Sequence, residues 1–359
     1  ELENELAGYD YANIESLKIT GVLNDVDFLF IYHMMPKLRD LDISDVNITT
    51  LPTRVFYNSK NIENLILSKT LSTIDTEAFY NSALKSVIVP NGVTTIEKCA
   101  FQNCSELKDV TFQEDSQLRT IEGGYSYGAF YGCTSLTSIE IPASVQTIGE
   151  AAFEACVKLA TVKFDKESRL ETIDSRSFYS CPITSIEIPA SVQTIGKAAF
   201  QECTKLATVK FDKESRLKTI APGSFYRCPI TTIDIPASVQ TIGEAAFQEC
   251  TKLATVKFEA GSLLETLEGY SGSLYYGAFY GCTSLTSIEI PASVQTIGAA
   301  TFQGCSRLAD VKFEEGSKLS AIEGYCCGYG CYGAFLGCPL ITIDIPASVQ
   351  TIGEAAFQE

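Results

Sequence analysis

The sequence is dominated by one phrase that returns through most of its length. Its first full copy runs from Ile139 to Cys156 and reads IEIPASVQTIGEAAFEAC. Further copies begin at Ile186, Ile233, Ile288 and Ile343. A related phrase, VKFDKESRLETI from Val162 to Ile173, alternates with it, and the common step is 22 to 24 residues. A period of this length indicates a solenoid or another repeat array, because each unit can bury its apolar face only against its neighbours.

Each repeat can be translated into local structure. Ile139 and Ile141 alternate with polar residues, which predicts a strand with one buried face. Pro142 ends that strand because it has no N–H. Beyond it, Gly149 starts a turn and Phe153 lies in a short helical turn. We therefore predict an α/β fold: a right-handed solenoid with one parallel β-sheet and short helical turns on the convex side.

The two ends of the chain depart from the repeat. Residues 1–40 are predicted to form an N-terminal cap with a short helix and the first repeat strand, since Asn24 suits a helix N-cap and Pro36 a helix end. Residues 41–359 are predicted to form an array of about thirteen units, the last of them truncated. An open sheet edge is expected beside Glu359, and such an edge favours self-association.

The repeat resembles that of a known family. The pattern L-x-x-I-x-I-P-x-x-V-x-x-I-G-x-x-A-F-x-x-C matches Leu136 to Cys156 and recurs from about Leu65 to Glu359. It resembles the BspA-like leucine-rich-repeat family, and the block from Leu17 to Asn47 is similar to the N-terminal part of surface proteins of anaerobic bacteria. The resemblance implies a leucine-rich-repeat horseshoe and a surface or secreted protein of a kind implicated in adhesion. It implies no catalytic residues.

Charge and composition exclude several classes of function. The net charge is −17 and the isoelectric point about 4.6, which disfavours nucleic acid and anionic membranes as partners. The sequence has no run of apolar residues long enough for a transmembrane helix. His33 is the only histidine, and no nucleophile elbow, phosphate-binding loop or metal-ligand spacing is present. We expect neither an enzyme nor a cofactor.

Most of the 14 cysteines occupy one position of the repeat, three residues after its phenylalanine. The members of this group are Cys104, Cys133, Cys156, Cys181, Cys203, Cys228, Cys250, Cys282, Cys305 and Cys338. In a stack of coils this position forms a ladder inside the core, where cysteine behaves as a small apolar residue. We predict that these thiols are buried, reduced and unreactive.

The first candidate site is a column of charges on the exposed sheet face. It consists of Glu140, Lys163, Glu187, Lys210, Asp234, Lys257, Glu289, Lys312 and Asp344. The signs alternate, so each charge is expected to lie between two opposite partners on neighbouring strands. A column that neutralises itself and lacks aromatic residues favours a structural role over a recognition surface.

The second candidate site comprises three insertions before the alanine–phenylalanine turn, at residues 122–128, 268–277 and 323–333. Glycine, tyrosine and serine predominate in them, as they do in antibody binding loops. The candidate binding residues are Tyr125, Tyr127, Tyr270, Tyr275, Tyr276, Tyr325, Tyr329 and Tyr332. The alternative is that these rings pack on the convex wall as parts of longer turns.

The third candidate site lies in the last insertion. Cys326, Cys327 and Cys331 can close a loop disulfide with one thiol left over, or bind a metal. Three thiols without a nearby histidine are a poor zinc site, whereas an exported protein favours the disulfide.

Three functions are compatible with these features. The first is a non-enzymatic recognition module, extracellular or on the outer cell surface, that adheres to host or cell-surface proteins or glycans; any leader or anchor would lie outside this sequence. The second is a structural spacer that displays another domain. The third is a redox- or metal-responsive module built on the cysteine-rich loop.

Overall fold

The repeat forms coils that stack in one direction. A computed structural model describes residues 2–125, 127–272, 276–328 and 330–358. They divide into an N-terminal unit, Glu1–Leu170, and a C-terminal unit, Glu171–Glu359. The chain is a parallel β-solenoid of about thirteen turns with few helices, which is the leucine-rich-repeat fold. The right-handed coil, the horseshoe shape and the separate cap of residues 1–40 stay predictions.

The helices of the described residues all precede Met35. They are α1 (Leu2–Glu5), a 3₁₀ turn (Tyr11–Asn13) and α2 (Asp25–Met34). The Asn24 side chain accepts hydrogen bonds from the Val26 and Asp27 N–H groups at 2.8 and 3.1 Å, and Asp27 accepts one from the Asn24 N–H at 3.0 Å. This reciprocal capping box confirms the predicted helix and Asn24 as its N-cap.

Most coils contribute a longer strand on one side and a two-residue strand on another, and the longer strands form several separate sheets. The N-terminal unit contains β1 (Ser16–Gly21), β2 (Asp40–Val46), β3 (Thr50–Leu51), β4 (Asn64–Ile66), β5 (Thr73–Ile74), β6 (Ser86–Val89), β7 (Thr95–Ile96), β8 (Asp109–Phe112), β9 (Thr120–Ile121), β10 (Ser138–Ile141), β11 (Thr147–Ile148) and β12 (Thr161–Phe164). The order β1-β2-β4-β6-β8 forms one parallel sheet, and β3-β5-β7-β9-β11 forms the second.

The C-terminal unit continues the same alternation. Its strands are β13 (Thr172–Ile173), β14 (Ser185–Ile188), β15 (Thr194–Ile195), β16 (Thr208–Phe211), β17 (Thr219–Ile220), β18 (Thr232–Ile235), β19 (Thr241–Ile242), β20 (Thr255–Phe258), β21 (Thr266–Leu267), β22 (Ser287–Ile290), β23 (Thr296–Ile297), β24 (Asp310–Phe313), β25 (Ala321–Ile322), β26 (Gly324–Cys327), β27 (Gly330–Gly333) and β28 (Thr351–Ile352). The expectation of a single parallel sheet is therefore wrong, because the threonine–isoleucine pairs form a second one.

The predicted helical turns are also wrong. Among the described repeats the segment around Phe153 is a series of turns in which Ala151 and Ala155 have φ of 56° and 60°. Residues in the left-handed region cannot continue a right-handed helix. Amides bond alternately within the coil and between coils: Glu154 N–H donates to Ala151 at 3.1 Å, whereas Phe130 N–H donates to Ala152 at 2.8 Å. The outer wall is thus a third hydrogen-bonded ladder.

From β10 onward, the longer strands form pairs that align over their whole length, and successive pairs have little alignment with each other. β10 and β12 align over four residues, as do β14 with β16, β18 with β20, and β22 with β24. Asp165 N–H closes the first pair by donating to the Ile141 carbonyl at 3.1 Å. Pro142 occupies the equivalent position after β10 and has no N–H, so β10 cannot close onto β8 in the same way. β16 and β18 accordingly share only the pair Thr208↔Thr232.

The core of both units is a stack of phenylalanine rings beside a ladder of thiols. Consecutive rings within each unit lie 4.9–5.5 Å apart, from Phe56 to Phe153 and from Phe178 to Phe357. The predicted burial of the ten cysteines is confirmed. Cys228 Sγ, for example, donates to the Phe200 carbonyl at 3.0 Å. Burial raises the pKa of the Cys156 and Cys250 thiols to about 12, so both stay protonated.

Thiol counting tests this core directly. Twelve cysteines are free, and Cys327 alone among them is exposed. Because only a thiolate reacts quickly with Ellman's reagent, we expect about one reactive thiol in the native protein and twelve after unfolding in guanidinium. Several thiols reacting at similar rates in the native protein would contradict the buried ladder.

Candidate binding site

The second and third insertions meet in the C-terminal unit. Tyr270 lies with its ring centroid 4.3 Å from that of Tyr332 and 6.0 Å from that of Tyr325. Tyr276 stacks on Tyr270 at 5.4 Å and on Tyr280 at 4.4 Å. Tyr325 and Tyr332 are 5.3 Å apart. We call Tyr270, Tyr276, Tyr280, Tyr325 and Tyr332 the tyrosine cluster.

A short hairpin presents two of these rings. β26 and β27 pair antiparallel, with Tyr325 opposite Tyr332 and Cys326 opposite Cys331. Opposed residues of a hairpin point to the same face and successive residues to opposite faces, so the two tyrosines share one face and the two cysteines the other. A disulfide of 2.01 Å joins Cys326 to Cys331 and links the two strands covalently.

Backbone hydrogen bonds hold both insertions to their neighbours. Tyr270 N–H donates to the Ala299 carbonyl at 2.8 Å, and Tyr276 N–H donates to Gln248 Oε1 at 3.0 Å. Cys326 N–H donates to Glu354 Oε2 at 3.1 Å. The cluster is therefore built on anchored backbone, which lowers the entropy lost when a partner binds.

The rings of the cluster are half-buried. Burial raises the pKa of Tyr280, Tyr325 and Tyr332, and neighbouring groups such as the Tyr270 phenol raise that of Tyr332 further. These phenols consequently stay neutral at physiological pH. They offer hydroxyl donors and apolar ring faces together, which is the combination that makes tyrosine frequent at binding interfaces.

The other predicted tyrosines have different surroundings. Tyr125 and Tyr127 belong to the N-terminal unit and are 80% and 56% exposed. Tyr275 and Tyr329 lie outside the described residues. Tyr280 is absent from the predicted set, although it lies in the regular repeat directly after the core residue Phe279 and is half-buried. That position is the signal by which it could have been found.

The sheet column is aligned but incompletely paired. Lys163 Nζ lies 3.3 Å from Glu140, and Lys210 Nζ lies 3.6 Å from Glu187, so these ion pairs form within the two-strand pairs. Lys312 instead contacts Asp310 of its own strand at 3.3 Å. Asp234 and Lys257 are opposed in register. The expectation that each charge has two partners is wrong because the strands pair in twos.

The last predicted member of the column is misplaced. Asp344 lies in a segment that forms no strand, and Ile343 is only half-buried there. The remaining charges are exposed and paired weakly, which gives them little capacity to hold a partner.

The described residues contain no group of three or more histidine, cysteine or acidic side chains that could hold a metal ion. Two of the three thiols of the last insertion are consumed by the disulfide, and Cys327 remains a free exposed thiol. None of the helices formed by the described residues has the length and apolarity that crossing a bilayer requires.

The N-terminal unit has a separate groove of about 980 Å³ over the strands β8, β10 and β12. Half-buried Phe112 and Phe164 lie in its floor, and Glu140, Lys163 and Asp165 are among the charges on its walls. Opposite charges are mixed along the groove, so it presents no single electrostatic character to a ligand.

Comparison with known proteins places the repeat in a family. The family model described as "BspA type Leucine rich repeat region (6 copies)" matches residues 27–127, 125–254 and 272–359. The chain belongs to the BspA-type leucine-rich-repeat family. Four of the five tyrosines of the cluster lie within these matches, and Tyr270 lies between two of them. No curated protein matches the sequence.

Several solved structures are similar to this chain. A leucine-rich repeat protein from Bacteroides ovatus is 24% identical, with a TM-score of 0.64 over 89% of this chain and 80% of its own. A leucine rich cell surface protein from Faecalibacterium prausnitzii is 24% identical, with a TM-score of 0.37 over 75% and 84%. The pneumococcal vaccine antigen PcpA is 19% identical, with a TM-score of 0.43 over 85% and 79%. The first of these supports the fold.

Proposed function

We propose that this BspA-type protein is a non-enzymatic recognition module that acts outside the cell and adheres to a host or cell-surface protein or glycan. The tyrosine cluster is the binding site. The repeat is the scaffold that holds the cluster, and its sheet column contributes register and solubility.

The observation that carries this proposal is the meeting of two insertions whose coils are separated by one complete coil, which contains β22 and β23. Tyr270 from one insertion stacks against Tyr332 from the other at 4.3 Å, on a hairpin that a disulfide links. Coils that served only as a spacer would need neither insertion, because the uninterrupted repeat already buries its core. Rings anchored on rigid backbone supply a large contact area with little loss of conformational freedom.

Binding measurements on a tyrosine-depleted variant test the proposal. Wild type is expected to bind saturably to at least one member of a panel of immobilised matrix proteins and mucin-type glycans. The triple variant Tyr270→Ser, Tyr325→Ser, Tyr332→Ser should weaken that binding at least tenfold, because it removes three ring faces at once. The melting temperature should fall by no more than about 3 °C, since the phenylalanine core is untouched.

The chain offers a matched control. Tyr125→Ser with Tyr127→Ser removes two exposed tyrosines from the first insertion and should leave binding unchanged. Undiminished binding by the triple variant would refute the proposed site, as would a loss of binding that merely follows a loss of folded protein.

A further inference from the structure

The tyrosine cluster lies in the least basic part of the molecule. Residues 258–306 and 319–359 contain no lysine or arginine. Three carboxylates accompany the cluster on its own loops and on the adjacent coil: Glu268, Glu323 and Glu354. None of the three makes a salt bridge with a described residue. Glu354 also contacts the hairpin through the Cys326 N–H, which places a negative charge beside the rings.

Three tyrosines elsewhere in the repeat, Tyr57, Tyr179 and Tyr226, are covered by arginine from the same chain. In the C-terminal unit the Arg176 guanidinium lies 4.2 Å from the Tyr179 ring centroid, and that of Arg227 lies 4.8 Å from the Tyr226 centroid. In the N-terminal unit Arg54 lies 5.3 Å from Tyr57. A cation over an aromatic face is attracted by the ring quadrupole. Among the described residues the tyrosine cluster has five such rings and no arginine or lysine over them.

Tyr270 and Tyr276 each stack between other rings of the cluster, so the rings left for an external cation are Tyr280, Tyr325 and Tyr332. The nearby carboxylates form no salt bridge with a described residue and are free to attract that cation. We propose that the tyrosine cluster binds guanidinium or ammonium groups on a basic segment of a partner protein. This inference rests on the proposed function and specifies its partner: arginine and lysine side chains stack on the rings, and Glu268, Glu323 and Glu354 supply the opposite charge. A neutral glycan would use the rings but gain nothing from the carboxylates.

The test uses fluorescein-labelled octa-arginine, with octa-citrulline as a neutral peptide of nearly the same shape, in fluorescence anisotropy titrations at 150 mM NaCl. Wild type should bind octa-arginine at least tenfold more tightly than octa-citrulline. The net charge of −17 attracts any polycation. The decisive comparison is therefore the triple variant Tyr270→Ser, Tyr325→Ser, Tyr332→Ser, which keeps the charge and should bind octa-arginine about tenfold more weakly.

Two variants with the same net charge separate attraction by the carboxylates beside the cluster from attraction by the net charge of the whole protein. Glu323→Gln removes one carboxylate beside the cluster and should weaken octa-arginine binding about threefold. Glu289→Gln removes one exposed carboxylate from the sheet and should change it by less than about 1.5-fold. Thermal melting of every variant shows whether it is folded. If the triple variant unfolds below the assay temperature, the single variant Tyr325→Ser replaces it and should also weaken octa-arginine binding, whereas Tyr325→Phe should keep the affinity.

Two results would overturn the inference: equal affinity of wild type and triple variant for octa-arginine, or equal affinity of wild type for the two peptides. The proposed function is tested separately by the protein and glycan panel. Tyrosine-dependent binding to a panel member that octa-arginine does not displace would leave the proposed function intact and contradict a cationic partner. Panel binding that the triple variant retains would contradict the proposed function itself.

Discussion

Replacing Phe247 by alanine is expected to lower the free energy of unfolding by about 3–5 kcal/mol. The Phe247 ring has no solvent exposure and lies between those of Phe225 at 5.4 Å and Phe279 at 5.2 Å. The neighbouring coils are held by hydrogen bonds on their own ladders and cannot close the space that the ring leaves. Urea unfolding followed by far-UV circular dichroism measures the loss.

The same stack contains its own control. Phe357 is half-buried and has one described stacking neighbour, Phe335 at 5.4 Å. Phe357→Ala should therefore lower the free energy of unfolding by less than about half as much as Phe247→Ala, because fewer contacts are lost. Equal losses for the two variants would show that the ring stack does not carry the stability of the array.

The second large effect is expected at Gly243, where valine should destabilise the protein by about 3 kcal/mol. A Cβ at this position would lie 2.7 Å from Pro222 N and 2.9 Å from Ala221 C in the preceding coil. The backbones cannot move apart without breaking the hydrogen bond from Gly243 N–H to the Ile220 carbonyl at 2.8 Å. The urea midpoint reports the change.

Gly124→Val is the matched control for this substitution. A Cβ added at Gly124 has no atom within 4 Å, and the residue does not have a positive φ. Its effect should stay within about 0.5 kcal/mol. A destabilisation at Gly243 no larger than that at Gly124 would mean that the coils are not packed as closely as their backbone contacts indicate.

The buried parts of the coil could be predicted because their pattern is periodic. Ile139, Ile141, Phe153 and Cys156 all lie in the core as the alternation and spacing require. The second sheet was missed because each of its strands has only two residues, too few to show alternation. Thr147–Ile148 becomes a strand through pairing with Thr120–Ile121, which a single repeat does not reveal.

Proline explains the difference between the predicted and observed sheet columns. The alternation of Pro142 with Asp165 is visible in the sequence, but by itself it indicates only that the strand before each proline ends there. A proline also removes an N–H that would otherwise donate to the strand of the preceding coil. Which hydrogen bond is lost can be known only from the register of the two strands. The column is therefore paired within strand pairs, as Lys163 is with Glu140.

The binding loops could be predicted from composition, but not the contact between them. The rings of Tyr270 and Tyr332 come from insertions on different coils, and their separation of 4.3 Å depends on backbone paths that glycine leaves open. Tyr280 belongs to the regular repeat and is part of the cluster only because Tyr276 of the insertion stacks on it.

The central claim is that recognition lies where the repeat is interrupted and not on the repeat itself. A head-to-head binding comparison on one immobilised partner tests it most directly: the Tyr270→Ser, Tyr325→Ser, Tyr332→Ser variant against a sheet variant with Lys163→Ala, Lys210→Ala and Lys257→Ala. We predict a loss of at least tenfold for the tyrosine variant and less than about twofold for the sheet variant. The opposite order, with the sheet variant impaired and the tyrosine variant intact, would contradict the claim.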